Sequence, residues 1–295
     1  MVRISKQLLD KVIDSYGAFF ERIACLSAEK CARDVVDEEK IHDQIRLFCE
    51  TIGLPVDSLR GKKVLEVGCG FGLFVLVTQR DYGCDTVGIE PSEEGFDTSY
   101  MLAKQIASEY GMSTEVIINA KGEKLPFDDC TFDLIFSSMV LEHTHDPHEV
   151  LRESLRVLKP GGFMQFVFPN YGSFYEGHYA LPWIPYMSKW VAKRWVRLWG
   201  RDPAFLYSLN FLNYRQIRRW MDDFPDAHVL TYGQDIFDNR MLSCNFKEWG
   251  GLKKVKHWVT IAHRLKIIRL VSKIMIHIGS FEPIILTLTR RSSNG

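Results

Sequence analysis

The amino-acid sequence predicts an α/β protein in which a mostly parallel, Rossmann-like sheet is covered by helices on both faces. Three observations carry that prediction. Short apolar runs alternate with helical patterns between residues 63 and 168, and such alternation needs crossover connections that lay helices on the sheet. The first run opens onto glycines at 68, 70 and 72 and then straight into a helical pattern. Finally, 295 residues with 46% hydrophobic and 13% aromatic content suffice for one large core with appendages.

The elements follow in order. Residues 4–23 carry Leu8, Leu9, Val12, Ile13, Tyr16, Phe19 and Phe20 at helical spacing. A second helix runs from about 34 to 52 and stops at Gly53-Leu54-Pro55. Strands are expected at 63–67, 86–90, 115–119, 132–137 and 163–168, with helices at 73–81 and 93–110 between them. The helix after the fourth strand starts with three signals: Asp146 as N-cap, Pro147 at the first helical position and Glu149 at the capping-box position. It ends at Lys159-Pro160-Gly161-Gly162. Beyond Pro169 the regularity breaks, with strands expected only at 228–232 and 283–289. Segments 170–224 and 238–280 read as insertions around those last strands, lying over the carboxyl ends of the sheet where ligands bind in open α/β folds.

Composition excludes several classes. Seven cysteines form no C-x-x-C pair, which argues against a disulfide framework or a structural zinc site and fits a reducing cytoplasm. The N-terminus lacks the apolar segment of a signal peptide, and no run of 18 apolar residues exists. Net charge is zero but divided. From residue 180 onward there are 19 Lys/Arg against 8 Asp/Glu, and before it 18 against 29. Either the C-terminal part meets something anionic or the two halves present solvated faces of opposite sign.

The glycines identify the chemistry to look for. A tight turn tolerates positive φ and close ligand approach where there is no Cβ, and a helix N-terminus offers free N–H groups. The dinucleotide fingerprint is G-x-G-x-x-G, whereas here the third glycine comes one position early. No G-x-x-x-x-G-K-[ST] loop is present. Glu66, two residues before the loop, suits an ammonium group and opposes a pyrophosphate. Glu90, ending the second strand, is placed to accept bonds from ribose hydroxyls.

Val64-Leu-Glu-Val-Gly-Cys-Gly-Phe-Gly72, Glu123-Lys-Leu-Pro-Phe127, Phe132-Asp-Leu-Ile135, Val140-Leu-Glu-His143 and Leu158-Lys-Pro-Gly-Gly162 occur in order. Together they resemble the class I S-adenosylmethionine-dependent methyltransferases, in particular the branch with the ubiquinone and menaquinone methyltransferases. The resemblance covers about 62–168. It implies a seven-stranded methyltransferase sheet and S-adenosyl-L-methionine as cofactor. It also implies that Glu66 and the Gly68, Cys69, Gly70, Gly72 loop hold the methionine part. Glu90 would bind the ribose, Pro91 would lie against the adenine, Gly122 and Glu123 would border its edge, and Ser137 would pass below the sulfonium. Where many relatives have an adenine-binding Asp, this chain has Lys121, which cannot accept a hydrogen bond. Either a backbone carbonyl or Asn119 takes that role, or adenine is held more loosely. On this reading the chain divides into N-terminal helices (1–60), a cofactor-binding core (61–170) and a substrate cap carrying the last strands (171–295).

A hydroxyl acceptor needs a base near its proton. His143, just after the fourth strand, is the first candidate, and His178 is the alternate with Glu176 as its orienting partner. No metal is expected, because some relatives have a Glu-x-x-Glu-His cluster here and this chain has Met139 in place of the first acid. The loop with Tyr171, Tyr175, Glu176, His178, Tyr179 and Trp183 reads either as a sugar-stacking surface or as an aromatic plug, and it is similar to that of surface-polysaccharide and glycolipid methyltransferases. Residues 189–201 and 254–278 mix cations with tryptophans and aliphatics at helical spacing, as interfacial helices do and as packed amphipathic helices also do. The reading is therefore an O-methyltransferase of a sugar or lipid-linked glycan, cytoplasmic or peripheral on an anionic membrane. Nucleic acid is not an expected partner. The alternatives are a quinone-type or other small-molecule methyltransferase, and a cofactor-binding regulatory subunit without catalysis.

Overall fold

The computed structural model describes residues 4–92, 97–243 and 253–291, without the side chains of 97 and 253–258. The expected helix start at Glu93, the Cys244 thiol and the Lys254 side chain lie outside the described residues.

Helices α1 (Lys6–Val12) and α2 (Ala18–Ala24) are one rod joined by a π turn at Ile13–Gly17. The turn needs its glycine, since a Cβ on Gly17 would run into the Ala28 carbonyl of the next helix. The single helix expected at 34–52 is two, α3 (Ala28–Val35) and α4 (Glu38–Ile52). Asp37 breaks them apart by turning its carboxylate onto the Glu39 N–H at 3.1 Å, an N-cap that competes with helix continuation.

The sheet then begins with β1 (Lys63–Val67), followed by α5 (Leu73–Tyr82), β2 (Asp85–Ile89), α6 (Asp97–Glu109), β3 (Ile117–Ile118), β4 (Phe132–Ser138), α7 (Pro147–Val157) and β5 (Leu158–Phe168). β3 is only two residues long because a 3₁₀ turn, Thr114–Val116, takes up the start of the expected strand. β5 starts five residues early. Its pairing with β4 jumps from Phe132↔Leu158 to Leu134↔Phe163, so Lys159-Pro160-Gly161-Gly162 is a bulge inside the strand instead of a loop before it. Asp146 caps α7 through the His148 and Glu149 N–H groups, with Pro147 in the first turn, as the sequence signals require.

The rest is a small hairpin, β6 (Tyr175–Glu176) and β7 (Leu181–Pro182), then α8 (Lys189–Leu198), α9 (Tyr214–Trp220), β8 (Ala227–Thr231), α10 (Gln234–Ser243), α11 (Lys253–Arg264), α12 (Ile268–His277) and β9 (Ile284–Arg290). The seven strands run in the order β3-β2-β1-β4-β5-β9-β8. All pairs are parallel except those of β9, which is antiparallel to both β5 and β8. Val64 and Phe136 pack on one face against Phe48 of α4 and Phe74 of α5, while Leu65 and Ile135 pack on the other with Val150 and Leu151 of α7.

The first insertion lies over the strand ends as expected: the Asn210 N–H and side-chain amide donate to the carbonyls of Glu142 and Thr144 at 2.7 and 2.6 Å. The second does so only at its end. Its helices put Phe237, Met241 and Ile268 into the main core with Leu286 and Leu288, so it chiefly covers a sheet face. Those apolar residues need burial, and the outer strands supply an uncovered face.

Candidate active site

The loop after β1 is held from below. The N–H groups of Gly68 and Cys69 both donate to the Ile89 carbonyl at 2.9 Å, and Gly72 N–H donates to Cys69 O at 2.7 Å. Gly68, Gly70 and Gly72 have φ of +73°, +52° and +76°, a region closed to most side chains. They differ in surroundings. A Cβ on Gly68 would strike the Val140 side chain, whereas among the described residues nothing lies within 4 Å of a Cβ at Gly70. The loop is therefore packed against the β4 turn at one end and open in its middle. Phe71, inside it, packs on Tyr16 with ring centroids 5.8 Å apart, so the N-terminal helices roof the loop.

Two acids converge there. Glu90 is 5% exposed, and its Oε2 accepts the Gly70 N–H at 2.9 Å. Burial raises its pKa to about 7, against the opposing effect of that bond. Glu66 is also buried, and its Oε2 has no hydrogen-bond partner among the described residues. Burial, and then the neighbouring Glu90, push its carboxyl well above the usual range. The Cys69 thiol is pushed up by burial and by the same two carboxylates.

The other expected cofactor residues divide. Ser137 is buried, with its hydroxyl donating to Val67 O at 2.8 Å, so it joins β4 to β1. Pro91 is half-buried directly after Glu90. Gly122 is closed in by Val150 and Val67. Glu123 accepts the N–H groups of His145 and Asp146 at 2.7 and 3.2 Å, and so fixes the start of α7. Asn119 Oδ1 accepts the Ser92 N–H at 2.9 Å.

His143 and His178, separate in sequence, meet with ring centroids 5.2 Å apart. His143 comes from a 3₁₀ turn after β4, Leu141–His143, and His178 from the cap hairpin. Glu142 lies between them, fully buried, with Oε1 3.7 Å from each Nε2 and neither carboxylate oxygen hydrogen-bonded among the described residues. Behind His178, its Nδ1 is 2.7 Å from Glu176 Oε1, and Glu176 also accepts the Tyr179 N–H at 2.6 Å. Burial lowers the His143 pKa to about 3, helped by His178. Burial also works to lower that of His178, but Glu176 and Glu142 outweigh it and the net direction is up. Burial raises Glu142 to about 7, partly offset by His178. Met139, at the end of β4, is 47% exposed with φ +56°, strain of the kind found beside functional sites.

Sequence reasoning missed the part of Glu142, which nothing in its spacing marks as a bridge between two histidines. The sugar-stacking role of the aromatic loop is not supported. Tyr171, Tyr179 and Trp183 are buried with Leu181 and Leu206 in a satellite core, so their faces are turned to protein.

Residues 65–166 match the model of the family described as "Methyltransferase domain". The chain is 32% identical over 167 residues to an uncharacterised protein of Mycobacterium tuberculosis, a match spanning 54% of this chain and 55% of the other. It is 33% identical over 139 residues to the sarcosine/dimethylglycine N-methyltransferase of Halorhodospira halochloris, spanning 45% and 47%. It is also 32% identical over 110 residues to a ubiquinone biosynthesis O-methyltransferase of Aliivibrio fischeri, spanning 37% and 45%. In each case the chain spans about half the relative's length or less. The glycine loop, the paired acids and strands β1 to β5 lie within or beside the matched segment, and the chain therefore carries a methyltransferase domain over residues 65–166.

Proposed function

We propose that the protein binds S-adenosylmethionine at the β1 loop and transfers its methyl group to a hydroxyl of a sugar or lipid-linked glycan. The observation that carries the cofactor assignment is Glu66: a buried carboxylate with an oxygen unpartnered among the described residues, beside an open glycine turn, fits an ammonium group. Glu90 would accept from the ribose hydroxyls, and the Gly68–Gly72 backbone, with Cys69, would hold the methionine part. Pro91, Gly122 and Glu123 remain proposed for the adenine side, and Ser137 for the floor below the sulfonium.

The bound cofactor supplies an activated methyl carbon. The residues then position an acceptor oxygen in line with it and exclude water. The cluster of His143 and His178 would take the hydroxyl proton as the acceptor oxygen is methylated. That cluster is one short turn from Val140, which touches the glycine loop at Gly68.

Support for a lipid-linked acceptor comes from the cap. On α8, Trp190 and Leu198 are 64% and 78% exposed, with Arg194 stacked on the Trp190 ring at 3.4 Å. On α12, Leu270 and Ile274 form a second exposed row beside Arg269 and Lys273. Interfacial helices use this pairing of bare apolar groups with cations, which favours contact with an anionic membrane. A cavity of about 440 Å³ lined by Tyr186, Asn213, Arg215, Gln216, Arg219 and Trp220 lies beside α12, since the Tyr186 hydroxyl donates to Ile278 O at 3.0 Å. Its two arginines suit a phosphate group. Among the described residues, no helix is long and apolar enough to cross a membrane. The relatives named for quinone and amine substrates keep a second reading in view, a soluble small-molecule acceptor.

The test is transfer of a tritiated methyl group from S-adenosylmethionine into fractionated cell extract. Label in the lipid-linked glycan fraction is expected. Label confined to quinones or small amines would favour the second reading, and no label in any fraction would overturn methyl transfer.

A further inference from the structure

Against the sequence expectation of no metal, we propose that Glu142, His143 and His178 form a binding site for a divalent transition-metal ion. One ligand atom from each, a ring nitrogen of either histidine and a Glu142 oxygen, lies within 4.8 Å of the others. Glu142 Oε1 stands 3.7 Å from both nitrogens. Ligands about 2.1 Å from a shared tetrahedral ion are about 3.4 Å apart, so each Glu142–histidine separation is within a few tenths of an ångström of the spacing an ion needs.

Three further features point to an ion. Glu142 is fully buried with both oxygens lacking hydrogen bonds among the described residues, a costly arrangement that a cation relieves. His178 is held from behind by Glu176 at 2.7 Å, the carboxylate–histidine relay that fixes a metal-binding tautomer and turns Nε2 to the ion. Glu176 is itself buried and held by the Tyr179 N–H and the Tyr171 hydroxyl, so the outer partner is rigid. Two imidazoles with one carboxylate suit zinc or a similar first-row ion and not magnesium or calcium, which favour oxygen ligands. Three protein ligands leave a position for an exogenous oxygen.

The ligand set joins two parts of the chain that spacing alone does not connect, the β4 turn and the cap hairpin. An ion there would clamp the cap onto the core. Its role toward the acceptor rests on the methyl-transfer reading and would replace the part of the histidines as bases: with both imidazoles and Glu142 as ligands, a hydroxyl bound to the ion would release its proton to solvent. The site itself does not rest on that reading, and its test needs no turnover.

The experiment is titration of the chelator-treated full chain with Co²⁺ by visible absorption, and with Zn²⁺ by calorimetry. One ion per chain is expected, with cobalt bands of a four- or five-coordinate nitrogen/oxygen site. H143A and H178A should each lose the bands. E176Q should weaken zinc binding about 10–100-fold while retaining the ligands. H148A, outside the cluster, should bind as wild type does. Circular dichroism of each variant separates ligand loss from unfolding. Absence of binding to wild type overturns the proposal, as does unchanged binding in folded H143A/H178A protein. Metal binding without methyl transfer would leave the site standing and remove the reading of its role.

Discussion

The Gly70 N–H donates to the Glu90 carboxylate at 2.9 Å, so the glycine loop after β1 and the acid after β2 form one hydrogen-bonded unit. Replacing Glu90 by alanine removes both a loop anchor and the proposed ribose acceptor. Loss of charge-assisted bonds of about 1.5–3 kcal/mol each predicts about 100-fold weaker binding of S-adenosylhomocysteine by calorimetry. Equal affinity in wild type and E90A would remove the cofactor assignment.

The same residue predicts a pH dependence. Burial places the Glu90 pKa at about 7, and the ionised form is the better acceptor. S-adenosylhomocysteine affinity should therefore fall as pH drops from 8 to 6, by up to about tenfold per unit below the pKa. E90Q should bind weakly at every pH, with the dependence flattened. A wild-type profile that is flat over this range contradicts the ionised role.

Glu66 predicts a conflict between stability and binding. Its folded pKa lies well above its unfolded value, so the folded state holds the extra proton, and stability falls as pH rises from the unfolded range through the folded pKa. E66Q abolishes that loss. Its melting temperature should exceed that of wild type at pH 8 and approach it near pH 5, while cofactor binding weakens. A lower melting temperature for E66Q at pH 8 would show that the buried charge is compensated.

Asn170 is the tie between β5 and the chain entering β9. Its amide donates to Gly279 O and Phe281 O at 2.9 and 2.6 Å, and its Oδ1 accepts from Gly172 at 2.9 Å. N170A leaves buried groups without partners at about 1–3 kcal/mol each, so a loss of about 2–4 kcal/mol in denaturant unfolding is expected. Less than 1 kcal/mol would mean that the segment rearranges.

Membrane contact is checked by liposome flotation. Wild type should float with vesicles containing anionic lipid and lose most of that binding when salt rises from 0.05 to 0.5 M. W190E/L198E should fail to float in either case. Flotation equal to wild type would place the contact elsewhere.

Local signals carried most of the core. Asp146-Pro147 set the start of α7, and the glycines set the β1 loop, because capping and positive φ are decided within a few residues. The failures have tertiary causes. Gly161-Gly162 reads as a break, yet pairing to β4 draws the segment into β5. Tyr179 and Trp183 look available for a ligand until the helices of the cap bury them. The convergence of His178 on Glu142 depends on a contact between residues 36 positions apart, set by how Asn210 fastens the cap to the β4 turn.

That fastening has an evolutionary consequence. The proposed cofactor contacts come from one contiguous stretch of sheet and loop, whereas the groups facing the acceptor are shared between the β4 turn and a hairpin that is part of an insertion. Drift in the insertion can therefore change which molecule is accepted while the core keeps its ligand. The traffic is limited at one point: whatever hairpin is exchanged must still present a partner to Glu142, or strand a buried acid at the junction.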